Sequence, residues 1–166
     1  MYQVVDIHWP EMCDVVTNIE ELSEDTSFPA SDVAAAIASK CFYHMQAYHE
    51  ALRLALNAGV YFDIFAKNQY IDTMLATCID EYKSLREKQH ADDTVKIDKK
   101  MEDVIEQMFQ RCYKHNCFEQ AIGVALDTRR LDKVAEVLSY AIASKKEDIL
   151  GYTFNLCKSA RNITPR

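Results

Sequence analysis

The chain is 166 residues long and carries 19 Lys and Arg against 26 Asp and Glu, a net charge of −7. Hydrophobic residues make up 49% and charged residues 27%, the balance of a folded protein, while three Gly and three Pro are too few for the turns of an all-β fold. The composition therefore predicts a single all-α domain over residues 1–166. An acidic chain without clustered Lys and Arg argues against a phosphate-backbone binder, so no nucleic acid partner is expected. The longest apolar run, Val33 to Ala38, falls far short of the roughly 20 residues a membrane helix needs, so no membrane partner is expected either. No basic, apolar and small-residue pattern opens the chain; it reads as cytoplasmic and nuclear, with its six cysteines as reduced thiols.

Taken in chain order, Met12, Val15, Val16, Ile19 and Leu22 recur at helical spacing behind Pro10 and predict a first helix from Pro10 to Glu24. A polar turn, 25–31, leads to a second helix carrying Val33, Ile37 and Cys41, whose run of alanines lets a neighbour approach closely. After a break near Gln46, a third helix bears Ala51, Leu52, Ala55 and Leu56 and stops at Gly59, a residue suited to a left-handed terminator. These two helices should form a hairpin. Ile71 to Leu85 predicts a longer fourth helix, and the charged stretch 88–97 a flexible loop. Asp98 is placed to cap the next helix, which should bury Met101, Val104, Ile105, Met108, Phe109 and Cys112 and end near Asn116. A short helix from Phe118 to Leu126 follows, then one carrying Leu131, Val134, Leu138 and Ile142. Ser144 and Glu147 have capping-box spacing and should open a last helix with Leu150, Phe154 and Cys157 inward, about eight helices in all.

An internal repeat organises these helices. At an offset of 70 residues Tyr43 falls on Tyr113, Tyr48 on Phe118, Ala51 on Ala121, Leu52 on Ile122, Ala55 on Ala125 and Leu56 on Leu126. Seventy is about twice the roughly 34-residue period of tetratricopeptide-type hairpins, so the pattern predicts a right-handed α-solenoid rod of such hairpins. Chance alignment of amphipathic helices is the alternative, and the matched aromatic and alanine positions count against it.

Catalytic chemistry is sparse in the pattern. Gly59, Gly123 and Gly151 stand alone, so no glycine-rich loop can cradle a phosphate, and no metalloprotease, nucleophile-elbow or CxxC motif occurs. Cys112, His115 and Cys117 are close in sequence, but a closed zinc site needs a fourth ligand. Cys13, Cys41, Cys78 and Cys157 fall on apolar faces, where thiols act as small hydrophobes. His44 and His49 flank a helix break, where packing or capping is the ordinary role. Glu20 with Glu21, or Glu102, Asp103 and Glu106, could supply acid and base groups, although charge on a helix is usually solvated surface. No cofactor, metal or enzymatic activity is expected. Arg129, Arg130 and Lys133 form a compact basic group in an acidic chain; they are the candidate docking residues for an acidic partner, with helix-end charge complementation the competing reading.

The repeat segments also carry a family pattern. Ala38-Ser39-Lys40-Cys41-Phe42-Tyr43-His44, Ala55-Leu56-Asn57-Ala58-Gly59, Cys78-Ile79-Asp80-Glu81-Tyr82, Met108-Phe109-Gln110-Arg111-Cys112 and the run from Ala121 to Asp132 with its Thr128-Arg129-Arg130-Leu131-Asp132 block occur in order. Over Ile19 to Cys157 the chain resembles the N-terminal part of the largest non-ATPase base-subunit family of the 26S proteasome regulatory particle. The resemblance implies the helical N-terminal rod of a much longer scaffold, of which this chain would be a piece lacking a leading helix before the Trp9 region. It further implies a non-catalytic role holding ATPase base, lid and ubiquitin-receptor subunits together for ubiquitin-dependent degradation. The alternative is another helical-repeat module that binds peptides or partner helices. In either case exposed solenoid ends favour self-association of an isolated fragment.

Overall fold

The computed structural model describes residues 4–25, 27–92, 94–144 and 148–161. Among them there are nine α-helices and no strand: α1 Val5–Cys13, α2 Val16–Glu24, α3 Ser31–His44, α4 Tyr48–Ala55, α5 Gln69–Ala91, α6 Lys99–His115, α7 Phe118–Asp127, α8 Leu131–Ala143 and α9 Asp148–Arg161. A short 3-10 turn, Gly59–Tyr61, follows α4. The chain divides into two compact units, Met1–Asp80 and Glu81–Arg166, with the division falling inside α5.

The first unit is built around α3. Its residues 34 to 41 are buried, because alanines at four of these positions let α1, α2 and α4 all pack against one helix. Val5, Val16, Ile37, Ala38, Cys41 and Leu54 form the core there, with Trp9, Met12, Cys13 and Ile19 packed on it. The single helix expected from Pro10 to Glu24 is two helices. His8 leaves helical geometry (φ −106°, ψ 16°), so Pro10 sits in the first turn beyond a kink, and the chain breaks again at Asp14 and Val15 before α2. This double bend carries both apolar groups, Val5 to Cys13 and Val16 to Ile19, onto the same face of α3, and it raises the helix count above the expected eight.

In the second unit α7 contacts α6, α8 and α9. Asp98 caps α6 as expected, its Oδ1 accepting from the Lys100 N–H at 2.9 Å. Helix α5 continues through Lys88 to Ala91, so the first four residues of the expected 88–97 loop are helical. Lys, Gln and Ala are good helix formers, Arg86 donates to Gln89 at 3.1 Å, and the helix stops only where Asp92 turns back to accept from the Thr94 N–H. Two inner faces also differ from expectation. Helix α8 buries Lys133, Val137 and Ala141, leaving Leu131 72% exposed and Ile142 outward; α9 buries Ile149 and Thr153, leaving Leu150 and Phe154 exposed. Both apolar stripes are displaced by polar residues that satisfy themselves: Lys133 through carboxylates, and Thr153 by donating its hydroxyl to the Ile149 carbonyl at 2.7 Å. The expected Ser144–Glu147 capping box lies partly outside the described residues.

The 70-residue repeat is a repeat of backbone geometry. Helix α3 ends in left-handed Gln46 (φ 62°) and α6 in left-handed Asn116 (φ 56°), as expected at the latter. At the first corner the Ala47 N–H reaches the Phe42 carbonyl and the Gln46 N–H the Tyr43 carbonyl; at the second, Cys117 reaches Cys112 and Asn116 reaches Tyr113. This is the paired Schellman closure, made twice. Beyond the helices that follow lies a second pair of left-handed residues at the same offset: Gly59 (φ 53°), which opens the 3-10 turn past the end of α4, and Arg129 (φ 55°), two residues past the end of α7. Each hairpin buries the same positions: Ala51, Leu52 and Ala55 in α4, and Ala121, Ile122 and Ala125 in α7. Even the aromatic partner recurs, since Tyr43 meets Tyr70 edge-on at 5.3 Å and Tyr113 stacks on Tyr140 at 4.4 Å.

Candidate functional site

The three basic residues singled out in the sequence part company in the structure. Arg130 opens α8, and its guanidinium donates to both Asp132 oxygens (2.7–3.0 Å), to Glu106 on α6 at 2.9 Å and to the Tyr82 hydroxyl on α5 at 3.4 Å. The Asp132 hydrogen bonds hold it firmly cationic against the cost of burial, and they in turn hold the Asp132 carboxyl below its ordinary range. Lys133, buried one turn into α8, bridges Glu106 and Glu136 at 2.6 Å each and lies 5.6 Å from the Phe109 ring centre. Burial works against its charge, but the two carboxylates outweigh burial and hold its pKa above the usual value. Glu106 is partly desolvated, which favours its neutral form; hydrogen bonds from Lys133 and Arg130 prevail and lower its pKa. Thus Glu106, read in the sequence as a stray acid candidate, is the hub that fastens α6 to α8. Arg129 stands apart. It is exposed, at the left-handed corner between α7 and α8, beside exposed Leu131.

The first unit holds polar fasteners of which the sequence reading had named only His44, for packing or capping, and Glu20, as an acid candidate. Buried Lys40 of α3 donates to Asp6 of α1 at 2.7 Å, and His44 lies 3.3 Å from the same carboxylate with its ring stacked on Trp9 at 5.3 Å. Buried Ser39 donates to the Ala51 carbonyl at 2.6 Å and shares a 2.7 Å hydrogen bond with the Tyr70 hydroxyl, tying α3 to both α4 and α5. Arg53 on α4 joins Glu20 and Glu24 on α2 and Glu50 on its own helix. The signal that could have found them is apolar context: Ser39 and Lys40 sit within the alanine-rich inner face of α3, where a polar residue must have a partner.

The thiols occupy packing positions. Burial pushes the Cys41 and Cys112 thiols up to about 11, which leaves them protonated at neutral pH, and Cys112 points at the Met108 sulfur at 3.7 Å. Cys117 instead approaches the His115 carbonyl at 3.6 Å. Among the described residues no three His, Cys, Asp or Glu side chains gather as a metal-holding group. Nor is any described helix long and apolar enough to cross a membrane. Each repeated corner borders an open concavity. One of about 590 Å³ is lined by Tyr48, His49, Glu50, Thr77 and Asp80, and one of about 290 Å³ by Phe118, Glu119, Gln120 and Ile149. Among the described residues, the buried and half-buried Lys40, Arg130 and Lys133 thus join helices to one another, while Arg129 faces outward.

Comparison with known proteins places this architecture. The family profile of the 26S proteasome subunit RPN2, N-terminal domain, matches residues 1–164. Similar proteins include the 26S proteasome non-ATPase regulatory subunit 1 of Drosophila melanogaster, 38% identical over 94% of this chain and 15% of that protein. Homolog A of the same subunit in Arabidopsis thaliana is 36% identical over 96% of this chain and 16% of the relative. The 26S proteasome regulatory subunit rpn2 of Schizosaccharomyces pombe is 34% identical over 94% and 16%. The chain therefore spans about a sixth of the length of these relatives. With the profile matched along nearly its whole length, this chain belongs to the family of the N-terminal domain of 26S proteasome subunit RPN2.

Proposed function

We propose that this chain is a non-catalytic scaffold segment of the 26S proteasome regulatory particle. It positions neighbouring subunits, from the ATPase base, the lid and the ubiquitin receptors, for ubiquitin-dependent degradation in the cytoplasm and nucleus. The observation that carries this reading is the family match over residues 1–164, joined to relatives named as regulatory, non-ATPase proteasome subunits. The use of polar side chains supports it. Lys40, Arg130 and Lys133 hold helices against one another, as a stiff support requires, and burial keeps the Cys41 and Cys112 thiols protonated. Stiff hairpins with exposed outer faces suit contact through modest surface patches.

Affinity purification of the tagged full-length gene product from cells of its source organism, with mass spectrometry of the associated proteins, tests the proposal. Stoichiometric recovery of proteasome ATPases and lid subunits is expected. Recovery of unrelated proteins without proteasome subunits would overturn the scaffold reading in favour of a separate peptide-binding helical-repeat module.

A further inference from the structure

We infer that Cys112 and Cys117 are a redox-sensitive pair, which hydrogen peroxide converts to a disulfide that staples the end of α6 to the start of α7. The inference goes beyond the scaffold reading and does not depend on it.

The backbone brings the two residues together. At the corner around left-handed Asn116 the Cys117 N–H donates to the Cys112 carbonyl at 2.9 Å. Bond lengths on either side of that hydrogen bond cap the separation of the two Cα atoms at about 6.8 Å, and a disulfide spans Cα separations of about 4.4–6.8 Å. The outer bond of this closure also joins the two positions whose side chains ordinarily touch. At the first corner those positions are Phe42 and Ala47, which have no redox chemistry; at the second both are thiols. Their proximity is felt electrostatically as well, since charge on Cys117 works against ionisation of Cys112. His115 meets Cys117 through its main-chain carbonyl, and no metal-holding group of three forms among the described residues, so the chemistry left to these residues is that of a dithiol.

Cys117 is half-buried and meets the oxidant first, whereas Cys112 is buried. The Cys117 thiol takes one oxygen from the peroxide, giving a sulfenic acid and water. The Cys112 sulfur then attacks the sulfenic sulfur, and its proton leaves with the hydroxyl as a second water. Two thiols and one hydrogen peroxide thus become one disulfide and two waters. For the bond to close, each thiol rotates about χ1 out of a weak contact, Cys112 from the Met108 sulfur at 3.7 Å and Cys117 from the His115 carbonyl at 3.6 Å. Burial holds Cys112 protonated at rest, so the second step is slow and the pair stays a dithiol until peroxide persists. In a reducing compartment such a bond is transient, closing the corner under oxidant and reopening as thiol reductants return.

Peptide mapping of the full-length protein tests the inference, because trypsin cuts after Arg111, Lys114 and Arg129 and leaves each thiol alone on its own peptide. The folded protein is treated with hydrogen peroxide in the presence of about 1 mM glutathione, free thiols are blocked, and the digest is run without reductant. Peptide 112–114 should appear joined to peptide 115–129, two hydrogens lighter than the sum of the two and separated by dithiothreitol. The joined form should exceed the mixed disulfide of Cys117 with glutathione by about tenfold, since the partner thiol is held at a far higher effective concentration. In Cys112→Ser the mixed disulfide should take its place. Absence of the joined peptides from the wild-type digest, whether Cys117 survives as a thiol, ends on glutathione or is carried to the sulfinic acid, overturns the inference.

Discussion

The hairpin of α3 and α4 and the hairpin of α6 and α7 are made to one backbone plan and fastened by different chemistry. Both turn at a left-handed residue closed by the same pair of hydrogen bonds, and both bury Ala, a branched aliphatic and Ala at matching positions of the second helix. Yet the first adds to its ion pairs, Lys40 with Asp6 and Arg53 with Glu20 and Glu24, a buried neutral fastener in Ser39, which bonds Tyr70 and the Ala51 carbonyl, whereas the second is tied by the charged set of Arg130, Lys133, Glu106, Asp132 and Glu136. The close approach of two helices demands small residues and a tight corner, and it tolerates many ways of satisfying the polar groups around it. That division of labour says which substitutions should act alike in the two units and which should not.

The largest effect should be shared. Leu52→Ala and Ile122→Ala remove equivalent, fully buried side chains, and each should cost about 3 kcal/mol in chemical unfolding. A cost in one and near-neutrality in the other would break the equivalence of the hairpins. Next, the fasteners should differ in kind. Ser39→Ala removes two buried neutral hydrogen bonds, to the Ala51 carbonyl and with the Tyr70 hydroxyl, and should cost about 2 kcal/mol whatever the salt concentration. Glu106→Ala should cost about 1 kcal/mol, reduced by the exposure of the carboxylate, and the loss should shrink between 0.05 M and about 1 M salt as screening grows. Equal salt response in both variants would contradict the assignment of neutral and charged fasteners.

Similar or smaller effects are expected at the second pair of left-handed residues. Gly59→Ala places a Cβ at φ 53° and 3.2 Å from an Asp32 carboxylate oxygen, and should destabilise by about 1 kcal/mol. Arg129→Gly should stabilise by about 0.5 kcal/mol, the relief of the corner being offset in part by losing a cation beside the end of α7. The smallest effect is on pH dependence. Asp132 and Glu106 have lowered folded pKa values, so their contribution is complete above the unfolded values of about 4 and is lost as pH falls through the folded ones. The wild-type midpoint should therefore fall more steeply below about pH 4 than that of the Asp132→Asn, Glu106→Gln double variant, by less than about 1 kcal/mol given their exposure.

Helix types, the left-handed conformation of Gly59, the left-handed ending at Asn116, the Asp98 cap and the repeat could be read from residues alone, because each depends on local stereochemistry or on periodicity, although α4 stops at Ala55, short of Gly59. The misplaced features depend on tertiary partners. Nothing local in Val16 to Leu22 shows that the chain must bend twice to bring Val5 and Val16 onto one face of α3. Counting apolar residues set Leu131 and Ile142 inward on α8, whereas a lysine with two carboxylate partners took that face instead. The basic group was visible as a cluster of charge, but its division into two structural cations and one exposed one follows from Glu106, which lies 23 residues before Arg129 and on another helix.

The central claim, that this chain works as a support within the proteasome regulatory particle, is met most directly by cross-linking mass spectrometry on particles purified through the tagged full-length protein. The account predicts cross-links from exposed lysines of this segment, Lys67 and Lys99 among them, to other regulatory-particle subunits, lost on particle dissociation. A full-length protein that is recovered in quantity and cross-links only to itself or to proteins outside the proteasome would contradict it.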